Sequence, residues 1–344
     1  MKKPIRVLVV DDSAYIRKVV KEMLSRNPAI EVVGAARDGT EALEQVEALR
    51  PDVITCDLIM PGVDGVEFIQ RQMAARPVPI VIVSIAAESS ERVLSGLDAG
   101  AIDFVQKPTA LATDKVLDVA DELVAKVMAA AGAPLARVRE SAMQAPPRAT
   151  TTFKNRHSVL VIGVSTGGPN GLKALVPRLP ADFPVPVAIV LHMPIGYTEA
   201  YARRLDELSA LRVIEAREGE EVRPGVVLIA PAGRHLTFQR DTDGKVLTRL
   251  DVRPLDTSHR PSVDVLFQSA AEVYGDRVLA LVMTGMGADG REGAAWIKAR
   301  GGSVLTEAEE TCVVYGMPRS VVEAGLSDEA VPLDRLTMAI MQRV

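Results

Sequence analysis

Short apolar runs of strand length alternate with amphipathic stretches of helix length along most of this chain, and that alternation constrains its fold most. Within residues 1–130 the apolar runs begin near Ile5, Glu31, Val53, Ile80 and Ile102. Helix-length segments separate them, and Asp38-Gly39 and Pro61-Gly62 supply turns. Strands that all run the same way need crossover segments between them, so repeated β and α units imply a parallel sheet covered on both faces. The spacing predicts a doubly wound, flavodoxin-like domain with a five-stranded parallel sheet. A second alternating series starts near Ser158 and is interrupted from Leu236 to Val252, where Asp243-Gly244 predicts a β-hairpin. That half is expected to be a second doubly wound α/β domain, with a mostly parallel sheet and the hairpin. After a helix expected from Leu111 to about Ala131, the segment 131–157 carries Gly132, Pro134, Pro146 and Pro147 with little periodicity. It reads as a linker, so the expected organisation is a domain over 1–130, a linker over 131–157 and a domain over 158–344.

Composition narrows the function classes. At 344 residues the chain has room for two cores, and 48% hydrophobic with 25% charged residues is ordinary for a globular protein. No apolar run approaches the ~20 residues that a membrane-crossing helix needs. The strand pattern begins too early for a signal peptide, so a cytoplasmic chain without membrane insertion is expected. A formal net charge of −5 and 3% aromatic residues argue against nucleic acid as a partner. Cys56 and Cys312 fall in apolar surroundings in different halves and are expected as reduced core residues. The four histidines and two cysteines show no zinc-site spacing. Trp296 is expected in the core.

Ligands of open α/β sheets bind where the carboxyl ends of the strands gather. In the first half Asp11 and Asp12 follow the Ile5–Val10 run, Asp57 follows Val53 to Cys56, and Lys107 follows Ile102 to Val105. Converging carboxylates suit a hard divalent cation, and a lysine beside them can neutralise a phosphoryl group. In the second half Ser165 follows Val159 to Val164, His192 follows Val187 to Leu191, and Asp289 lies shortly after Val278 to Met283. Those are a nucleophile, a base and an orienting carboxylate, the set that acyl transfer needs. Gly163-x-Ser165-x-Gly167 fits a sharp strand-to-helix turn that exposes a serine hydroxyl, although the order Ser…His…Asp departs from the Ser…Asp/Glu…His of α/β-hydrolases. Asp264 and Asp276 are rival orienting acids, with Asp264 set in a predicted helix. His157, His235 and His259 read as structural or surface residues.

With Ser84 after Val81 to Val83, and with the segment Asp57-Leu58-Ile59-Met60-Pro61-Gly62-Val63-Asp64-Gly65, residues 5–125 resemble a response-regulator receiver domain. The resemblance implies that Asp57 accepts a phosphoryl group from a sensor histidine kinase. It implies that Asp12 and Asp57 hold Mg²⁺ with the Ile59 carbonyl, while Asp11 acts mostly through water. Ser84 and Phe104 fill the hydroxyl and aromatic switch positions, and Lys107 meets the phosphoryl oxygens.

Residues 157–342 resemble the catalytic domain of the chemotaxis protein-glutamate methylesterase family. The blocks that carry this are Val161 to Pro169, Leu191-His192-Met193-Pro194, Arg260 to Phe267, Thr284 to Gly290 and Cys312 to Pro318. The resemblance implies Ser165 as nucleophile, His192 as general base and acid, and Asp289 as the residue orienting it. Thr166 and Met286 would supply the backbone N–H groups of an oxyanion hole, and the ester reaction would need no cofactor. The implied substrates are glutamate γ-methyl esters on methyl-accepting chemoreceptors, with glutamine deamidation as a second reaction. Phosphorylation of Asp57 would free a triad that the receiver occludes. A monomer recruited to receptor arrays in the cytoplasm is expected. Two places depart from the family pattern: Val83-Ser84-Ile85-Ala86-Ala87 lacks the usual run of hydroxyl residues, and Leu191 replaces a commonly polar residue. The rival classes are a phosphorylation-controlled binding module without chemistry and a DNA-binding response regulator, which the acidic charge disfavours.

Overall fold

The computed structural model describes residues 3–84, 90–107, 113–133 and 156–344. The chain divides into two compact units, Met1–Ala136 and Arg137–Val344. The first holds β1 (Ile5–Val10), β2 (Ile30–Ala36), β3 (Val53–Cys56), β4 (Ile80–Ser84) and β5 (Asp103–Gln106). They form one parallel sheet in the order β2-β1-β3-β4-β5, the doubly wound arrangement expected from the alternation. The crossovers are α1 (Ala14–Leu24), α2 (Gly39–Leu49), α3 (Gly65–Ala75) and α4 (Ser90–Asp98), with α5 (Thr113–Ala131) following β5. Ser13, Asp38 and Asp64 start three of these helices by accepting the amide N–H three residues on, which satisfies a donor the first turn leaves open. The central strand β3 is buried along its whole length, which is why it reads as an unbroken apolar run. Pro108, Ile85, Ala86, Ala87 and most of the expected linker lie outside the described residues.

The second unit is built on seven strands in the order β14-β13-β12-β6-β7-β9-β8. These are β6 (Val159–Val164), β7 (Val187–Leu191), β8 (Arg212–Glu215), β9 (Val226–Ile229), β12 (Val278–Val282), β13 (Ser303–Glu307) and β14 (Glu329–Val331). Every pairing in this sheet is parallel. The expected hairpin is present as β10 (His235–Arg240) and β11 (Val246–Asp251), antiparallel and separate from the main sheet. Gly244 sits at its tip with φ 83°, a left-handed conformation that glycine adopts without penalty. The helices are α6 (Gly168–Leu175), α7 (Thr198–Leu208), α8 (Val263–Tyr274), α9 (Arg291–Ala299), α10 (Met317–Glu323) and α11 (Leu333–Met341). Strands β6, β7 and β12 are neighbours at the middle of the sheet and are buried throughout. The core continues into α8 through Val263, Leu266, Phe267 and Ala270.

One core assignment is corrected. Trp296 is 43% exposed, because α9 turns Gly293, Ala294 and Ile297 inward and leaves position 296 at the edge of that stripe. Cys56 and Cys312 are buried and unbridged, as expected. Among the described residues no helix is long and apolar enough to cross a membrane.

Candidate active site and carboxylate cluster

The carboxyl ends of β6, β7 and β12 carry Ser165, His192 and, seven residues past β12, Asp289. Parallel pairing brings the first two side by side: His192 N–H donates to the Val164 carbonyl at 3.1 Å. Ser165 N–H donates to the Thr284 carbonyl at 3.0 Å, which ties the serine turn to the segment after β12. Two glycines allow the close approach. Gly167 has φ 80°, and at Gly285 a Cβ would lie 2.8 Å from the Ser165 Cβ.

His192 Nε2 stands 2.9 Å from Asp289 Oδ2, and both side chains are under a tenth exposed. This is the reverse of the commoner arrangement, in which Nδ1 faces the carboxylate. His192 Nδ1 is buried with no hydrogen-bond partner among the described residues. No hydrogen bond joins the Ser165 hydroxyl to the imidazole among the described residues, a looseness common in unliganded catalytic sites. The backbone N–H groups of Thr166 and Met286 likewise meet no acceptor among the described residues.

Asp289 is held on all sides. The Ser262 hydroxyl donates to Oδ1 at 2.9 Å, the Val263 N–H to Oδ2 at 2.8 Å and the Asp264 N–H to Oδ1 at 2.9 Å. It therefore caps the amino end of α8, where amide donors and the helix dipole favour an anion. Burial opposes its ionisation, but His192 and these amides outweigh burial and hold the carboxyl well below the usual range. Asp264 caps α9 in turn, accepting from Gly290 N–H at 2.8 Å and Gly293 N–H at 2.7 Å. Burial, aided by the charge of Asp289, pushes Asp264 up to about 6. Asp276 lies exposed in the turn before β12.

The other histidines separate. His157 is buried between the Arg343 carbonyl and the Ser303 hydroxyl, and His235 between the Pro254 carbonyl and Ser262 N–H. Burial lowers both imidazoles, so both serve as neutral structural groups. His259 is different: its ring stacks on His192 with centroids 4.0 Å apart and planes at 25°. Sequence reasoning missed this neighbour. Its one available signal is that His259 directly precedes the Arg260-Pro261-Ser262 segment that reaches Asp289.

In the first unit Asp11, Asp12 and Asp57 gather at the ends of β1 and β3, with one carboxylate oxygen of each within 4.8 Å of the others. That spacing fits a hard cation with oxygen ligands. Asp11 and Asp57 are buried, and Lys107 Nζ lies 2.7 Å from Asp11 Oδ2 and 2.6 Å from Asp57 Oδ2. Burial would lower the ammonium, but bonds to both carboxylates raise it, so the lysine stays charged. Burial also raises Asp11, despite the lysine. Leu58 N–H donates to Asp57 Oδ1 at 2.7 Å, and Ile59 N–H reaches the same oxygen at 3.4 Å. Ser84 and Phe104 are buried at the end of β4 and in β5.

Fold and side-chain set together define a hydrolase-like α/β unit preceded by a carboxylate-rich, doubly wound unit. A family model described as CheB methylesterase matches residues 160–340, and one described as response regulator receiver domain matches residues 7–117. A Myxococcus xanthus protein named protein-glutamate methylesterase/protein-glutamine glutaminase 5 is 52% identical, covering 99% of this chain and 98% of its own. A Geobacillus kaustophilus protein-glutamate methylesterase/protein-glutamine glutaminase is 44% identical, covering 99% of both. The crystal structure of the Thermotoga maritima CheB methylesterase catalytic domain superposes with TM-score 0.53 at 45% identity, covering 55% of this chain and 99% of that one. The chain belongs to the CheB methylesterase family and carries a response regulator receiver domain ahead of its esterase domain.

Proposed function

We propose that this chain hydrolyses glutamate γ-methyl esters on chemoreceptors, deamidates receptor glutamines at the same site, and does so under control of Asp57 phosphorylation. The observation that carries this reading is the buried His192–Asp289 pair beside the Ser165 turn, at the ends of neighbouring parallel strands. The names of the full-length relatives support both activities.

The roles follow from the geometry. With Nε2 engaged by Asp289, Nδ1 is the His192 atom left to take the Ser165 proton. The Ser165 oxygen attacks the side-chain carbonyl, and the negative charge on the carbonyl oxygen meets the Thr166 and Met286 N–H groups. Asp289 keeps the imidazole tautomer fixed and offsets the positive charge that forms on it. As the bond to the carbonyl carbon breaks, His192 gives its proton to the ester oxygen, which leaves as methanol, or to the amide nitrogen of a glutamine substrate, which leaves as ammonia. Water repeats the sequence on the acyl-enzyme, with His192 again as base. Each oxyanion donor contributes roughly 3–4 kcal/mol, because it meets charge that develops only along the reaction.

In the receiver, Asp57 accepts the phosphoryl group from a histidine kinase. Asp12 and Asp57, with the Ile59 carbonyl, would hold Mg²⁺, with Asp11 acting through water; the ion supplies positive charge where phosphoryl oxygens gather. Lys107 contributes a fixed positive charge there, and Ser84 and Phe104 respond as switch residues. Residues 1–130 act as receiver, 131–157 as linker and 158–344 as esterase. The test is methanol release from methyl-labelled receptor by the full chain, with and without a phosphodonor. Release that depends on Ser165 and rises with phosphodonor is expected, and no release from any methylated receptor overturns the reading.

A further inference from the structure

Glu307 ends β13 with a side chain fully sealed from solvent, and nothing in the proposed reaction uses it. Carboxylates are almost never wholly buried without a charged partner. Yet among the described residues no cation pairs with Glu307, and its neighbours are neutral donors. Thr284 N–H donates to Oε2 at 2.9 Å, and the Thr311 hydroxyl to Oε1 at 3.0 Å. The titratable group beside it is the Cys312 thiol, which burial pushes well up and keeps neutral.

Thr284 is the junction that gives this contact its meaning. Its carbonyl accepts the Ser165 N–H at 3.0 Å. Its hydroxyl donates to the Thr166 carbonyl at 3.0 Å and accepts from Val314 N–H at 3.0 Å. One residue thus joins the nucleophile turn to the segment that carries Met286, and Glu307 holds that residue by its amide. We propose that Glu307 is a positioning residue for the nucleophile turn, fixing Thr284 and, through it, the backbone of Ser165 and Thr166. The inference rests on Ser165 as nucleophile and Thr166 as oxyanion donor. A displacement of about 1 Å at such groups is enough to cost ~10²-fold in rate.

The uncharged acid has a place for its proton. Thr311 Oγ can accept it while the Thr311 hydroxyl turns to the Ala308 carbonyl at 3.2 Å. Burial pushes the Glu307 carboxyl up to about 7, so below that pH the neutral form dominates. This folded value lies above the ordinary 4.5. The group's contribution to stability is therefore fully present below about 4.5 and is lost as pH rises through about 7. Glutamine reproduces the neutral pattern, donating to Thr311 and accepting from Thr284. Methionine has similar length and can do neither.

The experiment uses the full-length protein with phosphodonor, as wild type, Glu307→Gln, Glu307→Met and Ser165→Ala. Methanol release from methylated receptor is measured alongside the rate at which a fluorophosphonate labels Ser165. Glu307→Gln is expected to keep kcat within about tenfold of wild type, while Glu307→Met loses ~10²-fold in kcat with KM nearly unchanged and labels correspondingly slowly. Between about pH 4.5 and 7 wild type should lose resistance to heat that Glu307→Gln retains. A folded Glu307→Met protein with wild-type kcat, or a Glu307→Gln protein as slow as Glu307→Met, overturns the proposal. If Glu307→Met does not fold, Glu307→Gln decides: a loss beyond about tenfold overturns the proposal and a smaller one supports it. Activity surviving in Ser165→Ala would sink the nucleophile reading instead, so the two failures are distinguishable.

Discussion

Both units place acids at the carboxyl edge of a parallel sheet, but they treat those acids in opposite ways. In the receiver, Asp11 and Asp57 face a charged lysine and one another, and the cluster is dominated by full charges at close range. In the esterase, Asp289, Asp264 and Glu307 are met by amides, hydroxyls and one imidazole. The first arrangement suits a group that arrives already charged and needs a cation beside it. The second suits a reaction whose charge appears only at the moment of bond formation, where preset dipoles serve better than ions. The difference teaches that a strand-end carboxylate is not one kind of object: its neighbours decide whether it receives, orients or holds.

The largest way to break this contrast is to remove the proposed nucleophile. Ser165→Ala should reduce kcat by ~10⁶-fold in the methanol assay without changing the fold seen by circular dichroism. Next, Asp289→Asn should cost up to ~10⁴-fold, because the imidazole loses the acceptor that sets its tautomer. Asp264→Asn should cost less than about tenfold, since Asp264 meets backbone amides and not the imidazole. The reverse ranking would mean that the wrong acid has been assigned to His192. Lys107→Met leaves two buried carboxylates facing each other and should destabilise the receiver by roughly 3 kcal/mol. Denaturant unfolding would measure this, and millimolar Mg²⁺ should restore part of the loss.

Smaller effects sharpen the comparison. Acetyl phosphate with Mg²⁺ should raise wild-type esterase activity by about 5–150-fold and leave Asp57→Asn unchanged. Stimulation of Asp57→Asn would move the phosphoacceptor elsewhere. The smallest effect is a pH dependence. Asp264 titrates near 6 when folded, above its ordinary 3.8, so its contribution to stability is fully present below 3.8 and lost as pH rises through 6. Unfolding of wild type between pH 4 and 7 should show a loss of order 1 kcal/mol that Asp264→Asn lacks. Parallel curves for the two proteins would rule this out.

Much of this was legible in the sequence, and the reasons are physical. Strands buried on both faces must be apolar throughout, so β3, β6, β7 and β12 announce themselves as unbroken runs. Residues just past such runs land on one edge, and so Ser165, His192 and Asp57 could be picked out before any contact was known. Contacts between loops were less accessible. Nothing in spacing tells that the His259 ring covers His192, because a loop after a hairpin returns to the sheet edge by tertiary packing alone. Glu307 was missed for the opposite reason, since a charged residue ending a strand ordinarily marks solvent. Trp296 misled because size and helical setting suggested burial, while the small residues Gly293 and Ala294 carry the helix against its neighbour.

The cap that Asp289 places on α8 has a consequence for how this enzyme fails. A carboxylate gripped by Ser262, Val263 and Asp264 cannot swing to follow its histidine. On the proposed roles, the first turn of α8 and the activity are one mechanical part. If Asp289 orients His192 as proposed, fraying of that turn by heat would release the acid and silence the enzyme with every reacting atom still in place. An inhibitor would not need to reach Ser165 at all; it could act as a wedge at the end of a helix.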